Sequence, residues 1–171
     1  MNPNQSILEQ VQIVPGGPPI NLGTARTYDV VSLKNYRRCL VVFHKNVGPA
    51  NDDPTLTILQ GTDVAFATNK ALNFTTLYVK EDLTKLTDVG QWTKVTQAAA
   101  NTYTTTTSAE TELMWAIEFK AEDLDIQNGY DCIRASCNDV GTTTSIGVLW
   151  YILSDPIVST APESMPSAII D

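Results

Sequence analysis

Residues 121–132, AEDLDIQNGYDC, hold the densest set of groups in the chain that could bind a cation. Asp123 and Asp125 alternate, and Asn128-Gly129 follows. A helix-flanked calcium loop needs oxygens at its first, third and fifth positions, glycine at the sixth and a bidentate glutamate at the twelfth. Counted from Asp123, Asp125 and Gln127 fill the third and fifth positions, but the sixth is Asn128 and the twelfth is Arg134, a cation. The stretch also lies between β-type runs, not helices. A local role fits better: a short helical turn over AEDLD, with Leu124 and Ile126 turned inward, then a tight turn at Asn128-Gly129. The acids then stand in solvent or cap the turn.

The other reactive groups are sparse. His44 is the sole histidine and ends an apolar run. No glycine-framed serine accompanies it, so a serine triad lacks its nucleophile. Cys39 lies five residues earlier on the same run and points to the opposite face. His44 therefore suits strand-end packing or a surface hydrogen bond. Cys132 and Cys137 have a spacing that matches no zinc pattern without further ligands, and they pair only if strands bring them together. Asp52 and Asp53, in NDDP, read as a turn feeding a strand. Glu112 and Glu118 share one face of a strand but stand ~20 Å apart, too far for a glycosidase pair. Gly16, Gly17 and Gly23 make no phosphate loop. Trp92 follows DVGQ and is the one ring expected to be exposed, as a sugar platform would require; Trp115 and Trp150 lie within apolar runs and suit a core. No catalytic, cofactor-binding or metal-ligating residue is nominated, no cofactor is expected, and the chain does not read as an enzyme.

The elements that must carry these groups are β-strands. The 171 residues suit one domain with a sizeable core. Charged residues make up 18%, below the usual ~25%, so Thr, Asn, Ser and Gln must supply much of the polar surface. The net charge of -8 repels polyanions and argues against a nucleic-acid partner; the basic pair Arg37-Arg38 reads as a strand flank. No stretch reaches the ~20 apolar residues of a membrane span, so no membrane partner is expected. MNPNQSILEQ lacks the basic start and apolar centre of a signal peptide, which implies synthesis and folding in a cytoplasm with reduced thiols.

From Tyr28 onward, short β runs recur between turn signals. RCLVVFHK is a buried-strand run, and TLTILQ alternates polar and apolar residues. ELMWAIEFKA places Leu113, Trp115, Ile117 and Phe119 on one parity. YDCIRASC puts Cys132, Arg134 and Ser136 on one face, with Ile133 and Ala135 on the other. NTYTTTTSAET is a polar strand or a long loop, and VKEDLTKL could form a helical turn. SIGVLWYILS is the most apolar run. Eight or so such runs predict an all-β, jelly-roll-like two-sheet sandwich, with an up-and-down barrel as the alternative. Residues 27–154 form this domain. Residues 1–26, interrupted by VPGGPP, read as an extended N-terminal arm, whose patch from Ile7 to Val14 could add to a sheet edge. Residues 155–171 read as a Pro-rich C-terminal tail. Ile7, Val11, Ile13, Pro18, Pro19, Ile169 and Ile170 are the candidate assembly contacts. Each end either folds back on its own domain or reaches a neighbouring copy.

Several stretches carry a family likeness: VSLKNYRRCLVVFHKNVGPANDDPTLTILQGTDV, KALNFTTLYVK, TKVTQAAANTYT, KAEDLDIQNGYDCIRASCNDVG, YILSDP and MPSAIID. Over residues 28–171 the chain resembles small virion structural proteins of tailed bacteriophages and prophages, of the capsid-decoration (cement) type. The resemblance implies a protein on the outer capsid surface of the virion. Its partners would be the major capsid protein and itself, as a homotrimer, and it would bridge neighbouring capsomers. The alternatives are a carbohydrate- or receptor-binding jelly roll on the virion, or a minor head or tail component.

Overall fold

The computed structural model describes residues 4–48, 53–83, 89–104, 112–138, 145–158 and 160–170. Its strands are β1 (Val11–Pro15), β2 (Ile20–Asn21), β3 (Arg26–Ser32), β4 (Tyr36–Lys45), β5 (Thr55–Gly61), β6 (Asn69–Ala71), β7 (Phe74–Glu81), β8 (Thr93–Ala100), β9 (Thr102–Thr104), β10 (Leu113–Lys120), β11 (Cys132–Cys137) and β12 (Ile146–Pro156). They form two antiparallel sheets. One runs β1-β12-β4-β10-β7-β8, with β2 also on β12. The other runs β3-β11-β5, and β6 and β9 share the far edge of β5. The two sheets share one core cluster, to which β12, β4, β10 and β7 contribute from the first and β3, β11 and β5 from the second. Each sheet alternates early and late strands, which is jelly-roll connectivity and not that of an up-and-down barrel. The chain is an all-β sandwich in which β1 forms an edge and β12, second from that edge, contributes Leu149, Tyr151 and Leu153 to the core.

Period-2 patterning builds the core. Leu113, Trp115, Ile117 and Phe119 of β10 are all buried inward, as their parity predicts. Cys39, Val41 and Phe43 of β4 line up beside them, and Leu56 and Ile58 of β5 face them from the other sheet. Trp115 sits at the centre, with Phe43 at 5.4 Å and Tyr103 of β9 edge-on at 4.9 Å. Tyr103 thus packs one sheet on the other. Ile133, Ala135 and Cys137 of β11 join the core cluster. Arg134 points out and lays its guanidinium 4.1 Å from the Phe66 ring.

One polar contact crosses the core. The pairing of β11 with β3 slips between Arg134 and Ser136, a bulge that frees one main-chain donor. The Ala135 N–H donates instead to the Tyr151 hydroxyl of β12, 2.9 Å away. Burial raises the Tyr151 phenol far above its ordinary range, so it stays neutral.

Both ends of the chain lie on their own domain. β1 pairs along β12 from Val11 opposite Ser154 to Pro15 opposite Trp150. Proline is tolerated there because β1 is an edge strand. Gly16 then closes the sandwich side: its N–H donates to Leu149 and its carbonyl accepts from Asp29, each at 2.8 Å. A Cβ at Gly16 would stand 2.9 Å from Leu149 Cδ2, so glycine permits this approach. The tail returns to the β3–β4 turn. Ala168 is buried and its carbonyl accepts from Ser32 N–H at 2.7 Å. The Tyr36 hydroxyl donates to Pro166 at 2.6 Å, and Asn35 donates to Ser167 at 2.9 Å.

Candidate assembly surface

The residues with chemical potential are separated and occupied. Ala121–Asp123 and Ile126–Asn128 are short 3-10 turns, and Gly129 takes φ +81° to end the second. The Asp123 carboxylate accepts from Lys120 N–H at 2.7 Å. Asp125 accepts from Lys70 Nζ and from Asn128 Nδ2, and these bonds, Lys70 first, hold its carboxyl below the usual range. The acids therefore act as local caps and ion-pair partners. Among the described residues there is no group of three or more His, Cys, Asp or Glu placed for a metal. His44 Nε2 lies 2.8 Å from Glu112 Oε1 at the surface end of β4. Glu118 pairs separately with Arg38 at 2.9 Å. The three cysteines are free and buried. Burial pushes Cys132 and Cys137 up to about 12, so neither is a ready nucleophile. Asn51, Asp52, much of the Thr-rich stretch and residues 84–86 of VKEDLTKL lie outside the described residues.

What the fold does concentrate is exposed apolar surface. The registers define one pole of the sandwich where β1 begins, β12 and β10 end, and β4 begins: Val11 opposes Ser154, Lys120 opposes Arg38 and Pro156 opposes Tyr36. The turn before β1 sits here, as do the 121–131 loop and the docked tail. Ile7 is 63% exposed, Ile157 59%, Ile126 56% and Ile169 56%, with Leu8, Val158 and Ile170 similarly open. Seven of the thirteen large exposed hydrophobics therefore gather at one end. A hollow of about 420 Å³ opens at this pole, lined by Arg37, Arg38, Lys120, Ala121, Glu122, Ile126 and Asp155. Arg38 bridges Glu118 and Asp155 there, at 2.9 and 3.0 Å. These exposed pairs add little stability, but they leave the hollow with charge of both signs.

The predicted contacts divide by location. Ile7, Ile169 and Ile170 all lie at this pole. Ile13 is exposed on the outer face of the β1–β12 pair. Val11 is only 7% exposed and is already covered within its own chain, so it offers no free surface. Pro18 and Pro19 are exposed on the connector from β1 to β2, which leads to the far end of β12, where Ile146 and Gly147 pair with β2. Sequence reasoning passed over Leu8, Ile126, Ile157 and Val158. The IV pair between Pro156 and Pro162 was a usable signal, since no strand can continue to hide it. Ile126 was placed inward with Leu124, yet only Leu124 is buried. The two short turns reverse the chain between them, so parity does not carry across.

Trp92 is 44% exposed. It borders a shallow groove of about 270 Å³ with Leu40, Tyr78, Ala116 and Glu118, and Lys80 Nζ sits 4.9 Å from its ring. Trp150 is not in the core: it lies on the outer face of β12, opposite Val42 and Pro15, and is half-buried.

No protein-family model matches the chain, and no curated protein matches it. Among solved structures it is similar to the SPBc2 prophage-derived protein YomS, with TM-score 0.43 and 9% identity over 84% of this chain and 93% of that one. It is also similar to the Tobacco streak virus coat protein, seen as a dimer, with TM-score 0.30 and 12% identity over 95% and 94%. A second crystal form of that coat protein gives TM-score 0.27 and 13% identity over 96% of each chain. Similarities this slight say nothing of function.

Proposed function

We propose that this chain is a structural virion protein that decorates a phage capsid and stabilises it by bridging neighbouring capsomers. The observation that carries this is the convergence of both chain ends, with Ile7, Leu8, Ile157, Val158, Ile169 and Ile170 outward, on one pole of a rigid sandwich. Large exposed apolar side chains gathered at one end of a domain suit a protein-binding surface. Docked arms present it at little entropic cost, because main-chain bonds and prolines already restrict them. Packaged DNA pushes capsomers apart, and a cement protein opposes that by burying surface across the seam. The resemblance to phage virion proteins supplies the class of partner. The acidic remainder of the surface suits a position away from the DNA.

The test is occupancy on capsids that lack the protein. The triple variant Ile7→Asp, Ile169→Asp, Ile170→Asp changes only exposed side chains, so it should fold. Its occupancy should fall by more than roughly tenfold, as loss of a central contact cluster does. Occupancy equal to the parent contradicts the proposal. A second reading, carbohydrate or receptor binding, is favoured by the exposed Trp92 beside its groove. Glycan retention abolished by Trp92→Ala, with capsid occupancy near zero, would select it.

A further inference from the structure

We infer that Arg37 sets the specificity of the apolar pole: it receives a carboxylate that a protein partner presents between apolar side chains. Three cations, Arg37, Arg38 and Lys120, line the hollow at this pole. Two of them are already paired. Arg38 meets Glu118 at 2.9 Å and Asp155 at 3.0 Å, and Lys120 meets Glu122 at 3.2 Å. Arg37 is exposed, and among the described residues it makes neither an ion pair nor a hydrogen bond. A counter-charge lies close at hand in the ladder. Ser154 opposes Arg38 and Pro156 opposes Tyr36, so in a regular strand Asp155 would stand directly across from Arg37, where opposite charges pair. Asp155 instead takes φ +55°, a left-handed backbone uncommon outside glycine, and its carboxylate goes to Arg38. The Arg37 guanidinium keeps its donor fork uncommitted at the wall of the hollow.

The surroundings choose the occupant. Ile126, 56% exposed, lines the same hollow, and the other exposed isoleucines of the pole stand around it. A free guanidinium beside open aliphatic side chains is interface chemistry. The arginine stem packs on apolar surface while its fork takes a carboxylate through two parallel bonds, and arginine is enriched in interface cores for that reason. The ligand is a single carboxylate and not a polyanion. Glu118, Glu122 and Asp155 sit close to the hollow, and a run of phosphates would have to pass them against repulsion. One acidic side chain flanked by apolar ones reaches Arg37 and covers the isoleucines in the same contact. The inference rests on the capsid reading, which puts this partner on the shell; it adds that the shell surface under the pole carries an acidic residue in an apolar setting.

The test is the apparent affinity of the full chain for capsids that lack it, measured from about 50 to 500 mM salt. Arg37→Gln should weaken binding at least roughly tenfold at the low-salt end. Arg37→Lys should recover only part of the loss, because an ammonium keeps the charge and lacks the fork. The gap between the parent and Arg37→Gln should narrow as salt rises. Lys94→Gln removes the same charge from an exposed position on β8, opposite Tyr78 and away from the pole, and should bind like the parent. Arg37 is exposed and unbonded, so all three variants should melt as the parent does. If Arg37→Gln binds like the parent, or loses no more than Lys94→Gln, the inference is overturned; the capsid reading then still stands where the pole triple variant loses occupancy. A loss that does not change with salt gives Arg37 a packing role and overturns the carboxylate. A parent that fails to bind capsids overturns both.

Discussion

Tyr151 links the two sheets through one hydroxyl, which accepts the main-chain N–H that the β11 bulge leaves at Ala135. Tyr151→Phe keeps the ring and removes the acceptor. The buried N–H then has no partner, and the cost should be about 1–3 kcal/mol, read as a shift in the denaturant midpoint with the slope unchanged. At this scale the sequence was partly legible. The inward parity of β10 was legible because its large side chains, Leu113, Trp115, Ile117 and Phe119, share one parity and Glu118 and Lys120 fall on the other. The Tyr151 bond was not, because a bulge breaks the register and nothing in CIRASC announces it. Trp150 was misplaced for a related reason. In VLWYIL every residue is apolar, so alternation cannot tell the inner face from the outer one. The reactive residues were read more securely, because the calcium pattern fails on residue identity alone at Asn128 and Arg134.

The strands themselves were the most legible element, since short β runs between Gly, Pro and Asn clusters recur through the domain. Their pairing order was less so: β4 lies between β12 and β10, far from both in sequence, and only long-range packing decides that. The terminal segments show a similar limit. The patch from Ile7 to Val14 read as one that could add to a sheet edge, and Val11–Pro15 does pair along β12 as an edge strand. The tail's three prolines suggested an extended chain but gave no sign of the latch onto Tyr36 and Ser32. That latch makes an element-scale prediction. Tyr36→Phe removes the donor to Pro166 and should cost about 0.5–1.5 kcal/mol in attachment of the tail. Limited proteolysis should then cut within residues 160–170 several-fold faster, with the sandwich core resistant. Equal cutting rates in the variant and the parent would show that the tail is held by other contacts.

For the whole molecule, the meaning lies in where the ends finish. The described segments near each end fold onto the sandwich, and both deliver isoleucines to the same pole. Composition does not reveal this, because a scattered exposed isoleucine is ordinary and only topology gathers seven hydrophobics in one place. The opposite pole, where β2 meets Ile146 and Gly147, has no comparable set among the described residues. On the function proposed above, the apolar pole binds the shell and the remainder of this acidic chain faces outward from it. The most direct measurement is a density map of the particle that carries this protein. The account predicts the sandwich standing on the seam between capsomers, with Ile7, Ile157 and Ile169 buried against the shell. A map that shows this pole facing solvent, or a purified particle without the protein, would contradict it.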